Sequence, residues 1–172
     1  NLLICISYGA MLTLVPDESA ALGIKNKGMF FMVLTLTSLA MRFLSGKASD
    51  KYGRVRVLRW GLVVLFVALL LTGIATTKFF LLFAAGVYGI AQGILSPAIN
   101  AWMVDLSSPE HRGKAVATGY MAMEAGIGFG AAIAGWYYAD DLARVPFVFY
   151  FAAFAVVIAI GYTMYWQKKN KA

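Results

Sequence analysis

Charge, acid, cysteine and histidine are all scarce in this chain. Only 13% of its 172 residues are charged, about half the share usual in a soluble domain. The one cysteine, Cys5, sits in an apolar run, which excludes a disulfide framework or a cysteine-rich metal site. The one histidine, His111, stands in a polar stretch beside Arg112 and supports neither a metal cluster nor a Ser-His hydrolase pair. No Gly-Lys-Ser/Thr phosphate loop occurs, so nothing points to nucleotide-driven work. Neither a cofactor nor a metal site is expected, and no enzyme. The first residues have no initiator Met, no basic leader and no small-residue cleavage site. They read as a cut within an apolar span, not as a signal peptide.

What the chain has instead is hydrocarbon. Hydrophobic residues make up 61% of it, with a mean hydropathy of +0.74, the composition of an integral membrane protein. Six runs approach the roughly 20 apolar residues that cross a bilayer as a helix: 1–16, 28–45, 60–76, 79–104, 115–138 and 145–166. The fold class expected is all-α, six transmembrane helices in one bundle. The first span is expected to stop at Pro16-Asp17-Glu18, where proline lacks a donor and two acids follow. A net charge of +7 does not indicate nucleic acid, because the bases lie between apolar runs and not on a solvated face.

Those bases set the orientation. One side of the six spans receives Lys47, Lys51, Arg54, Arg56, Arg59, Arg112, Lys114, Lys168, Lys169 and Lys171, and the other only Lys25, Lys27, Lys78 and Arg144. Cytoplasmic loops carry the excess of Lys and Arg, which places both termini and the two longer polar loops in the cytoplasm. Arg42 is set aside as lying within a span, near enough to the rim to snorkel. Trp60, Trp136, Tyr137, Tyr138, Tyr165 and Trp166 fall near span ends, as aromatic belts do.

Between the second and third spans, residues 46–56 read Gly-Lys-Ala-Ser-Asp-Lys-Tyr-Gly-Arg-Val-Arg. Gly46 removes a side chain where the second helix would approach a neighbour, and Gly53 offers the positive φ of a sharp turn. Asp50 is placed to pair with Arg54, whose planar fork also suits a more distant carboxylate, Asp105 at the end of the fourth span. Lys51, Glu110 and Arg112 could extend the set. One reading is a charge-pair gate; the other is a set of solvated topology signals, for which surface pairs contribute about 0–1 kcal/mol.

This stretch resembles the cytoplasmic loop signature of the major facilitator superfamily, Gly-x-x-x-Asp-Lys-x-Gly-Arg-x-Arg, and the basic turn at 109–113 strengthens the likeness. The resemblance spans essentially the whole chain and implies one six-helix half of a twelve-helix transporter. It favours the C-terminal half. The Arg expected three residues before a Gln-Gly pair in an N-terminal half is absent, since Gly89 precedes Gln92-Gly93, and the glycine-rich fifth span lacks a Gly-Pro pair. It further implies a multi-pass protein of the cell (inner) membrane, both termini cytoplasmic. Such a protein moves a small solute by alternating access, with a proton as coupling ion, and its partner is an N-terminal half or a second copy of this chain. A non-transporting scaffold or receptor that kept the bundle is the alternative.

Inside the spans, Glu124 lies midway along the fifth, where a charge costs at least ~2.5 kcal/mol. It is a candidate for proton coupling, or a protonated structural acid. Tyr88, Gln92, Ser96 and Asn100 recur every four residues and form one polar stripe on the fourth span. With Tyr8 and Tyr120 they are candidates for a substrate cavity, the face that the resemblance turns towards the centre. Interhelical hydrogen bonding is the plainer role. Pro97 should free the carbonyl of Gly93, which water or a side chain must then satisfy.

Overall fold

The computed structural model describes residues 1–169, the side chain of Lys47 excepted, so Lys171 and the rest of the terminal 170–172 fall outside the described residues. The described residues form six α-helices: α1 (Leu2–Ala21), α2 (Met29–Tyr52), α3 (Arg54–Gly73), α4 (Lys78–Asp105), α5 (Arg112–Tyr138) and α6 (Val145–Lys169). Short 3-10 turns at Pro109–His111 and Leu142–Arg144 precede α5 and α6. All six are long and apolar enough to span a membrane, as the hydropathy of the sequence predicts.

Two boundaries differ from expectation. Residues 46–56 are not a loop: α2 runs on through Gly46, Asp50 and Lys51 to Tyr52, and α3 begins two residues later. The break is the single residue Gly53, at φ +88° and ψ 141°, a conformation that side chains resist. Gly46 makes no close approach, for a Cβ there would meet nothing within 4 Å. The first span also does not stop at Pro16. Proline deletes one donor, which a membrane helix tolerates, and α1 continues to Ala21. Its real stop is Gly23 at φ +75°, where the Gly23 and Ile24 N–H groups donate back to the Ala20 and Ser19 carbonyls at 3.0 and 2.9 Å. This is a Schellman motif, with Ile24 buried after it.

The pairing of helices has an internal symmetry. The main contacts are α1 with α5, α2 with α4, α3 with α4, α3 with α6, and α1 with α6. Exchanging α1 with α4, α2 with α5 and α3 with α6 reproduces the same set. Each repeat holds three crossings, an odd number, so the second is inverted relative to the first. Glycines bring the helices close in both pairs, and Gly9 of α1, where a Cβ would lie 2.1 Å from the Ile127 oxygen of α5, is the counterpart of the α4 glycines under this exchange. A Cβ on Gly126 or Gly130 of α5 would lie 2.4 or 2.2 Å from the Leu2 or Ile6 carbonyl oxygen of α1. On Gly89 or Gly93 of α4 it would lie 2.3 or 2.6 Å from the Leu34 or Ser38 carbonyl of α2. Backbone thus rests on backbone in both pairs.

Pro97 lies inside α4, which stays helical across it. Its missing N–H would have served the carbonyl of Gly93, and the Ser45 hydroxyl of α2 donates there instead, at 2.8 Å. Ser45 is 4% exposed, so no solvent can substitute. Ser45→Ala should therefore destabilise the folded protein by about 1–3 kcal/mol, the cost of a buried acceptor left alone. Pro97→Ala, which restores the backbone donor, should recover most of that loss in a double-mutant unfolding cycle. Additive losses would show that the hydroxyl and the proline act independently.

Candidate functional site

The end of the bundle that carries most bases is tied together by one guanidinium. Arg54, the first residue of α3, donates from Nη1 to an Asp50 carboxylate oxygen and to the Ser49 hydroxyl (3.2 Å) of α2, and from Nε to Asp105 Oδ2 (3.2 Å) of α4. The turn at Gly53 makes this possible by folding α3 back so that its first side chain overhangs the last turn of α2. Three helix ends meet at one side chain. The two acids also offset the bases that Arg54, Arg56 and Arg59 place at the positive N-terminal end of α3. The acids are 69% and 53% exposed, so water screens each pair and the cluster adds little to stability.

Lys51 lies over the Tyr52 ring at 5.4 Å. Glu110 is exposed on the turn before α5 and Arg112 at its first residue, and among the described residues no hydrogen bond or ion pair joins them to the Arg54 cluster. Beside that cluster the Arg59 guanidinium donates to Gln167 Oε1 of α6 at 2.5 Å, and Trp102 of α4 meets Trp166 of α6 edge to face, with ring centroids 5.1 Å apart.

A cavity of about 270 Å³ opens between α1, α4 and α5. Five of the six residues expected at a substrate cavity line it: Tyr8 from α1, Gln92, Ser96 and Asn100 from α4, and Tyr120 from α5. Arg42 from α2 joins them where the cavity nears the base-rich rim, beside Asn1, Asn100 and Met103. Ile4, Leu95, Ile99, Met103, Met123 and Ile127 supply apolar wall between the polar groups. The mixture suits an organic solute: broad apolar contact, with a few hydroxyl, amide and guanidinium groups to orient it.

Tyr88 is not part of the wall. It is fully buried, and its hydroxyl meets the Ser7 hydroxyl of α1 at 3.0 Å. The four-residue repeat carries the stripe slowly around α4, so its first member falls between α1 and α4 while the next three reach the cavity. Glu124 does not line the cavity either. It is exposed on α5, one residue from Met123 of the wall and within electrostatic range of Cys5.

Sequence reasoning missed one donor, Ser45, and one buried acid, Glu18. The Ser45 donation could have been found by asking which hydroxyl faces Gly93. Burial of Glu18 had no local signal, because Pro16 made the residues after it look like a loop.

Six membrane-crossing helices, internally repeated, with a polar cavity beside a charge-tied rim, make up a membrane half-bundle. The chain matches the family model of the Major Facilitator Superfamily over residues 1–172 and belongs to that family. It is 30% identical to Multidrug resistance protein 1 of Bacillus subtilis over 90% of its length, and 23% identical to Multidrug resistance protein 2 of the same organism, again over 90%. An uncharacterized transporter of Sinorhizobium fredii is 29% identical over 76% of the chain. These matches cover 40%, 39% and 34% of the respective relatives, so the chain spans about two fifths of the length of the curated relatives it matches most fully.

Water should reach the wall residues and not the Ser7–Tyr88 contact. In a Cys5→Ser background, Ser96→Cys and Asn100→Cys are expected to react with a membrane-impermeant thiol reagent at least about tenfold faster than Ser7→Cys, since reaction needs a hydrated thiolate. Equal rates would mean that the stripe is sealed.

Proposed function

We propose that this chain is the C-terminal six-helix half of a secondary transporter, which moves a small organic solute across the cell (inner) membrane by alternating access. The observation that carries this reading is the cavity. Gln92, Ser96, Asn100, Tyr8, Tyr120 and Arg42 gather around one space within helices that cross a membrane. Intramembrane polar groups are costly to keep unless they serve a pathway. Such a cavity is completed by a second bundle, either an N-terminal half or another copy of this chain, because solute sites in this class lie between two halves. The designation of two relatives as multidrug resistance proteins favours drug-like molecules as the solute class.

The rim supplies the switch in this reading. Arg54 joined to Asp50 and Asp105 holds the ends of α2, α3 and α4 as one piece, and a charge set of that kind biases one closed state against one open state as the halves rock. With the base-rich rim and both termini cytoplasmic, the biased state is the inward-closed one. A proton is the proposed coupling ion, with Glu124 of α5 facing the second half as one carrier. A membrane scaffold without transport would have no use for a polar cavity, which is why the transporter reading is preferred.

The test is reconstitution of the full-length protein in proteoliposomes with a fluorescent drug-like dye and an imposed pH gradient. Asp50→Asn removes one of the two carboxylates that Arg54 holds and is expected to slow dye movement severalfold with insertion into the membrane unchanged. Normal transport by Asp50→Asn would remove the gate, and absence of dye movement in the unaltered protein across a panel of solutes would remove the transporter reading itself.

A further inference from the structure

The most deeply buried acid among the described residues is not Glu124 but Glu18. It stands in the last turn of α1, at the end of the bundle opposite the Arg54 rim, and is 7% exposed. Because α1 continues through Pro16, Glu18 falls on the same face as Ser7, Met11 and Leu14, at spacings of eleven, seven and four residues. All three are fully buried. Asp17, about 100° further round the helix, stays at the surface with Lys27 at 3.8 Å.

Glu18 Oε2 has no hydrogen-bond partner, and neither has the hydroxyl of the fully buried Ser19 beside it. No base compensates the acid. α1 is packed against α5 and α6, and the ionisable groups those elements and their connections bring to this end are Tyr137, Tyr138, Asp140, Asp141 and Arg144. The α1–α2 connection adds Lys25 and Lys27, and the start of α4 adds Lys78. Arg144 is engaged with Asp141 at 3.1 Å, with the Tyr137 carbonyl at 3.3 Å and with the Tyr137 ring, and Lys27 with Asp17. None of these groups bonds to Glu18. A carboxylate demands several donors or a counter-ion when it leaves water, whereas the neutral acid demands far less.

We propose that Glu18 is a proton-binding site inside this half of the protein, held as the neutral acid in the present conformation and exchanging its proton when the end of α1 parts from its neighbours. It differs in kind from Glu124, which is exposed on the half-bundle and waits on whatever covers α5. Glu18 is enclosed by its own half, so its proton is governed by motion within that half. The proton site stands on burial and missing partners alone; its link to solute movement rests on the transporter reading above.

Infrared difference spectroscopy of the full-length protein across a pH titration reads the site directly. The unaltered protein is expected to show a protonated-carboxyl stretch at neutral pH that is lost in Glu18→Gln and kept in Glu124→Gln. If that band is absent from the unaltered protein, or persists undiminished in Glu18→Gln, the site is overturned; the first of these outcomes needs no variant to fold. Glu18→Leu, which fills the same apolar surroundings, is the second variant. In proteoliposomes, Glu18→Gln should lower pH-gradient-driven dye accumulation severalfold and leave dye exchange without a gradient within twofold of the unaltered protein. Unchanged gradient coupling alongside a lost band would overturn proton exchange at Glu18. A protein that moves no dye at all would remove the transporter reading and leave the infrared result to decide the proton site.

Discussion

A carbonyl oxygen of one helix lying where the next helix has no side chain is the contact on which this bundle depends. It occurs where α5 meets α1, through Gly126 and Gly130, and where α4 meets α2, through Gly89 and Gly93. In hydrocarbon, helices gain nothing from hiding apolar side chains from one another, so close backbone approach and hydrogen bonding must supply the association. Two such helix pairs fix α1 against α5 and α4 against α2, and the cavity lies between α1, α4 and α5 beside them.

The same scarcity of solvent explains the polar details. Each unsatisfied group in the membrane is expensive, and the chain answers with specific donors: Ser45 for the carbonyl that Pro97 releases, and the Tyr88 hydroxyl for the Ser7 oxygen, whose own proton goes to the Ile4 carbonyl. Thr37 turns its hydroxyl back to the Val33 and Leu34 carbonyls of its own helix. Against that background the buried groups without partners stand out, Glu18 Oε2 and the Ser19 hydroxyl at one end of the bundle, Arg59 Nε and Trp102 Nε1 at the other. Gln92 and Asn100 line the cavity, with Gln92 also hydrogen-bonded to Tyr88.

The six crossings were legible in the sequence because a bilayer imposes a length and a composition on any helix that spans it. The Gly53 turn and the meeting of Arg54 with Asp105 were legible too, since a positive φ favours glycine and a guanidinium seeks carboxylates. Continuation of α2 to Tyr52 was not, because hydropathy ends where charge begins although the helix does not. Pro16 misled for a related reason: it lacks one donor, yet a helix already committed by its neighbours loses only that bond, and Gly23 is what ends α1. The polar stripe on α4 was half legible. A repeat of four residues fixes a face, but whether Tyr88 meets water or Ser7 depends on how far α1 leans over it, which no local pattern records.

A structure of the full-length protein in a lipid nanodisc with a bound drug-like solute tests the central claim, that the α1–α4–α5 seam is a wet binding surface. Solute density against Gln92, Ser96 and Asn100 is the predicted result. Density elsewhere, with those three side chains turned to acyl chains or packed dry against the second half, would contradict it.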